Sequence, residues 1–194
     1  LRPMNNETDA LISNLIQTYR ETLDFASSLD DLAYASPPLA GKWSPAQHLV
    51  HLIRSLGIVV WVSSWPMTLQ RLVWGRANRP SRSYDALVER YQYRLAGIKA
   101  KSPAFFAPPA QSASQRQQIH QRLMRLPDRY AQQLSKCPPD YLDSQILPHP
   151  VLGKITVREM ALFSTYHGRL HLNLIQRDLK ATTSTPISIH EQPH

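Results

Sequence analysis

The chain has one cysteine in 194 residues, Cys137, so no internal disulfide can brace it. A reducing compartment suits such a chain, and a cytoplasmic location is the expectation. A single cysteine also excludes the cysteine-rich zinc modules. Glycine is scarce, at 6 residues, and none forms a glycine-rich phosphate loop. No segment alternates apolar and polar residues convincingly enough to read as a strand. Apolar runs are short: Leu56 to Trp65 is the longest candidate, and serines interrupt it. A spanning helix needs ~20 such residues, so no membrane partner is expected. The opening Leu1-Arg2-Pro3-Met4-Asn5-Asn6 lacks an apolar stretch, and no secretory signal is expected there. The net charge is +8, yet the cations are dispersed between Arg54 and Arg129, with no tight block and no interleaved aromatics. That pattern argues against nucleic acid and for a solvated basic surface, or attraction toward an anionic small molecule.

What is present is helix periodicity. Apolar residues make up 42% of the chain, enough for one domain with a real core; residues 5–180 are assigned to it and 181–194, rich in Ser, Thr and Pro, to a flexible tail. Leu11, Leu15, Ile16, Tyr19, Leu23 and Phe25 mark a first amphipathic helix over Glu7 to Leu29. Ser44-Pro45, followed by Gln47, is a start signal for a second, from Pro45 to about Ser64, with Met67 to Trp74 as a helical continuation before a loop over Gly75 to Ser83. A shorter helix follows from Tyr84 to about Lys101, and Pro103 to Pro109 breaks it. Ser112 to Ser135 is a polar, glutamine-rich helix that Pro127 should kink or split. Tyr141 to Gly153 reads as a proline-punctuated connector. Thr156-Val157-Arg158-Glu159 is a capping box opening the last helix, which runs to about Leu179. The class is all-α: a four-helix bundle with an additional short helix between bundle helices two and three.

The last helix carries His167 and His171. Four residues apart, they lie on one face about 5–6 Å apart at Cβ, a spacing at which each can give a nitrogen to one ion. Met160, Ser164, His167, His171 and Leu174 step along that face, so the histidines stand where apolar residues should look into the bundle. The second helix offers His48 and His51, three apart, as a third ligand; periodicity does not choose between them. Three histidines leave a fourth position open, the layout of a catalytic metal site. No acidic residue on an inward face stands out as a general base, and Tyr166-His167-Gly168-Arg169-Leu170-His171 lacks the glutamate of HExxH, which argues against peptide hydrolysis.

Gly41-Lys42-Trp43-Ser44-Pro45-Ala46-Gln47-His48-Leu49-Val50-His51-Leu52 resembles the first signature of the DinB/YfiT-like metalloenzymes, and His149 to Met160, continuing to His167 and His171, resembles the second. The resemblance implies a four-helix bundle of up-down-down-up type, often dimeric. It maps the metal ligands onto His51, His167 and His171 and makes His48 an extra. It further implies a divalent ion, commonly zinc or nickel, and relatives that are thiol S-transferases or isomerases in which the metal activates a low-molecular-weight thiol.

Around such a site His48, one turn before His51, is expected either to stand behind the ligands or carry a proton, or to hydrogen-bond backbone or solvent at the helix start. His149 either borders the pocket mouth or anchors its loop. Glu159 is the capping carboxylate, not a base. Trp43 is expected to staple the second helix, His120 to face solvent, and His190 and His194 to belong to the tail. Cys137 reads as a helix-terminal residue. The expected function is a metal-dependent enzyme acting on a small molecule, a thiol-dependent transferase ahead of a hydrolase; the alternatives are a non-catalytic metal-binding stress-response or interaction module and, last, a DNA binder.

Overall fold

The computed structural model describes residues 6–97 and 108–183. Eight α-helices occur among them: α1 Asn6–Ser27, α2 Asp31–Ala35, α3 Pro45–Ser63, α4 Met67–Trp74, α5 Tyr84–Gly97, α6 Arg116–Lys136, α7 Pro139–Ser144 and α8 Val157–Thr183. Two short antiparallel strands, β1 Ile146–His149 and β2 Gly153–Thr156, pair between α7 and α8.

The starts follow local chemistry. Ser44 accepts from the Gln47 N–H and Gln47 returns the bond to the Ser44 N–H, so α3 opens on a full capping box with Pro45 where no N–H is needed. Asp30 caps α2 by a single bond, its side chain accepting from the Ala33 N–H.

The long helices α1, α3, α6 and α8 form the bundle, α1 and α3 each packing on both α6 and α8. Cross-helix contacts set the directions. Glu7 meets Arg158 and Glu21 meets Arg169, so α1 and α8 run parallel. Ser27 reaches His120, so α1 and α6 are antiparallel. Gln133 donates to the Val60 carbonyl near the far ends of both α3 and α6, which run together. His51 meets His167 and His48 meets His171, so α3 opposes α8. The order is up-down-down-up. Composition alone would let α3 cross a membrane; its apolarity is that of a core helix, with Leu49, Leu52 and Leu56 buried.

Gly168 has a packing reason. A Cβ there would lie 3.0 Å from the Thr18 methyl and 3.2 Å from the Tyr19 ring, so the glycine lets α1 approach α8 beside the histidine pair.

Several expectations are corrected. Pro127 does not split α6, which runs unbroken from Arg116 to Lys136 with the proline buried; it has no N–H to give the Leu123 carbonyl. The connector from Tyr141 holds α7 and the hairpin, whose four-residue strands are too short for periodicity to reveal; Pro148 sits in a strand with a free edge, where it costs no ladder bond. His120 does not face solvent: its ring packs edge-on against Tyr34, 5.7 Å away, and Nδ1 pairs with Ser27 Oγ at 3.3 Å. Helix α8 passes Leu179 and ends at Thr183, taking 181–183 from the assigned tail. The end of the short helix at Lys101, most of the Pro103 to Pro109 break, and the tail from 184 with His190 and His194 lie outside the described residues.

Candidate metal centre

The bundle brings one α3 histidine and two α8 histidines to a point. His51 Nε2 lies 3.2 Å from His167 Nε2, and His171 Nε2 lies 3.1 Å from the same atom. One ligand atom from each residue falls within 4.8 Å of the others, and all three residues are buried. Nitrogens bound at ~2.1 Å to a tetrahedral ion stand about 3.4 Å apart, close to these separations. Hydrogen bonding serves the triangle poorly. His167 Nε2 faces two neighbours with either one lone pair or one hydrogen, so one contact stays unsatisfied. A cation uses all three lone pairs at once, and the donor set fits a divalent metal.

Electrostatics agree with neutral ligands. Burial, then repulsion from His51 and His149, lowers the His167 pKa to about 3. Burial, then the neighbouring imidazoles, holds His171 well below 6.5. Neutral imidazole is the metal-binding form.

His48 stands behind the triangle. Its Nδ1 lies 2.7 Å from His171 Nδ1. With His171 presenting Nε2 as a ligand, Nδ1 carries the hydrogen and donates it to His48, fixing ring and tautomer. Burial and the repulsion of His51 lower His48 to about 4, with Asp178 pulling the other way. Trp43 is more than a helix staple: its ring lies 5.1 Å from His51 and 5.4 Å from His48, and stacks over His171 at 6.3 Å and 10°. On the opposite side Phe163 stacks on His167 at 5.4 Å. Tyr91 of α5 packs on Phe163, so the additional helix backs the centre through one aromatic ring.

His149 anchors its loop. Nδ1 accepts from the Val151 N–H at 3.1 Å and the Leu152 N–H at 3.0 Å, closing the hairpin turn. Burial lowers its pKa to about 4. A consequence follows for acid stability. Above pH 6.5 folded and unfolded chains both hold this histidine neutral. Between 6.5 and about 4 the unfolded chain binds a proton that the folded chain refuses, so stability falls as pH falls, by about 3 kcal/mol from this group at the full shift. Urea unfolding of metal-free protein at stepwise lower pH measures the slope; His149→Gln should make it shallower, and an unchanged slope would remove His149 from the account.

Glu159 is the capping carboxylate and carries more than the cap. Its side chain is fully buried; Oε2 accepts from the Thr156 N–H while Thr156 Oγ1 accepts from the Glu159 N–H. Arg79 grips both oxygens at 2.7 and 2.9 Å, and Arg82 adds its N–H and guanidinium. Burial pushes the carboxyl up, but Arg79 and the N–H donors outweigh it and hold it below its ordinary value. The loop between α4 and α5 is thereby pinned to the start of α8, a link between positions nearly eighty residues apart with no local signal in either segment.

Asp178 is an inward-facing acid, contrary to the expectation that none stands out. It is buried on α8, seven residues beyond His171 and hence two turns along the same face, and pairs with Arg177; its spacing was the available signal. Cys137 caps the end of α6, its thiol donating to the Gln133 carbonyl and pushed up to about 11 by burial, the state of an inert thiol. Two clefts of about 320 and 330 Å³ lie elsewhere and include no histidine of the centre.

A four-helix bundle of up-down-down-up order, with three histidines from two antiparallel helices meeting at one point, defines the class. The profile of the DinB superfamily matches residues 14–175, most of the chain, and the chain belongs to that superfamily. Among solved structures it is similar to YfiT from Bacillus subtilis, described as a probable metal-dependent hydrolase with an unusual four-helix bundle topology, at 17% identity and a TM-score of 0.59 over 95% of this chain and 93% of that one. That likeness is one of fold. No curated protein matches the chain.

Proposed function

We propose that the chain is a divalent-metal-dependent enzyme acting on a small molecule, with thiol-dependent group transfer as its chemistry. The carrying observation is the convergence of His51, His167 and His171 through Nε2. Those residues hold the ion, zinc or nickel by the character of three imidazoles. When bound, the ion lowers the pKa of a thiol or water at its remaining position toward neutrality. His48 orients His171 and holds its tautomer. Trp43 and Phe163 wall the centre, limit water and offer flat apolar surfaces to a substrate.

Transfer is favoured over hydrolysis by the carboxylates. Glu159 is consumed by Arg79 and Arg82, and Asp178 sits two turns from His171 with Arg177 against it. Neither is placed as a base beside the ligands. Hydrolysis is the second reading, supported by the description of YfiT.

Cobalt-substituted protein separates the two. Adding a low-molecular-weight thiol should produce a sulfur-to-cobalt charge-transfer band with an apparent thiol pKa near neutral. A cobalt spectrum that ignores thiols but shifts with a bound-water titration would discard thiol transfer and leave hydrolysis.

A further inference from the structure

Helix α4 is apolar on more than one side. Met67, Gln70 and Trp74 step by three and four on its inner face, where Gln70 is buried and donates to the Trp65 carbonyl at 2.8 Å. Leu69, Leu72 and Val73 step likewise on the outer face, and Leu72 is 84% exposed. A helix that is hydrophobic on both sides is normally buried or lies in lipid. The end of α3 continues the exposure with Ile58 and with Trp61, 60% exposed. Trp65 joins the two helices: its ring meets Trp61 at 5.1 Å and stacks on Trp74 at 5.2 Å. Three of the chain's four tryptophans thus sit at this corner. No residue of the histidine centre takes part.

Charge identifies what covers the face. From Leu32 to Tyr84 the sequence has no Asp or Glu, while Lys42, Arg54, Arg71, Arg76, Arg79 and Arg82 fall within it. Glu159 pairs with both Arg79 and Arg82 and offsets one of their two charges. Arg71 and Arg76 remain as exposed cations on and beside α4, Arg71 lying over the Tyr141 ring. A second copy docked face to face would set these cations against their own images, with no carboxylate from the whole stretch to offset them. Exposed leucine and valine between the cations do not suit a nucleic acid. Indoles and aliphatic side chains flanked by arginines suit an anionic lipid surface, where the apolar groups enter the acyl boundary and the cations meet phosphates.

We propose that the outer face of α4 with the end of α3 docks the protein on anionic phospholipid membranes. The burial of α3 in the bundle core speaks against spanning, not against surface docking. The metal-loaded chain should co-sediment at low ionic strength with vesicles containing equal parts phosphatidylglycerol and phosphatidylcholine, and far less with pure phosphatidylcholine. Its tryptophan emission should shift to the blue on binding. Leu72→Asp and Trp61→Ser, both at exposed positions, should each weaken partitioning about tenfold, with metal content and circular dichroism unchanged. Arg71→Gln with Arg76→Gln should weaken it and flatten its salt dependence. The wild-type emission shift tests the idea even where a variant folds poorly. No sedimentation with anionic vesicles, binding that both apolar variants leave intact, or a wild-type dimer that Leu72→Asp dissociates would each overturn the proposal, the last in favour of a second copy.

Discussion

Replacing His167 with alanine should remove the metal almost entirely, because its Nε2 lies within 3.2 Å of the Nε2 of both His51 and His171. Loss of one of three protein ligands should weaken apparent affinity on the order of a hundredfold or more. His48→Ala should be milder, about 10- to 100-fold, since His171 loses only the partner that fixes its ring and tautomer. Chelator competition and elemental analysis of untagged protein read both effects. The contrast is the test: His167→Ala protein that keeps one equivalent of metal would end the three-histidine assignment. Metal should also stabilise the fold, by about 2.7 kcal/mol at a hundredfold excess over Kd, and that increment should vanish in His167→Ala.

Glu159→Ala should be the most destabilising substitution away from the centre. It removes the carboxylate half of the capping box, the acceptor of the Thr156 N–H, worth about 1 kcal/mol, and leaves Arg79 and Arg82 without their carboxylate. Breaking a buried pair costs about 3–5 kcal/mol; both guanidinium groups here are partly exposed, 31% and 24%, and rehydrate in part, which favours the low end. A total near 4 kcal/mol is expected. For a chain of this length that lowers Tm by about 10 °C. Because the lost contacts pin the loop between α4 and α5, proteolytic nicking within Gly75 to Ser83 should rise in parallel. A Tm within two or three degrees of wild type, with the loop still protected, would show that the arginines do not depend on Glu159.

The two largest expected effects differ in how visible they were beforehand. His167 and His171 could be assigned to an inward face from their spacing, because i and i+4 lie on one side of any helix, whatever it packs against. Glu159 could be assigned to a cap for the same local reason, but not to its arginines. Ionic contacts across eighty residues leave no periodic trace in a sequence. Pro127 is an instructive miss. Its intrinsic tendency is to break a helix, and packing on both sides of α6 overrides it. His120 is another, since a half-buried ring takes its neighbours from other elements.

Sequence by itself determined the helical class, the capped starts of α3 and α8, the histidine pair on α8 and the missing HExxH glutamate. These are properties of backbone period and nearest-neighbour chemistry, and they hold before the chain folds. Periodicity left open which α3 histidine joins the pair; the family resemblance pointed to His51, and the tertiary structure supplies the packing that brings it there. His48 and His51 lie only 60° apart around the helix axis, so a small rotation of α3 would exchange them. The antiparallel packing of α3 on α8 brings His51 Nε2 to His167 and turns His48 toward the back of His171. Tertiary structure alone decided that an arginine-bearing loop closes over Glu159 and that, among the described residues, the outer face of α4 is exposed. Rotation, crossing and long-range closure are settled by how side chains fill space between helices, information that no single helix carries.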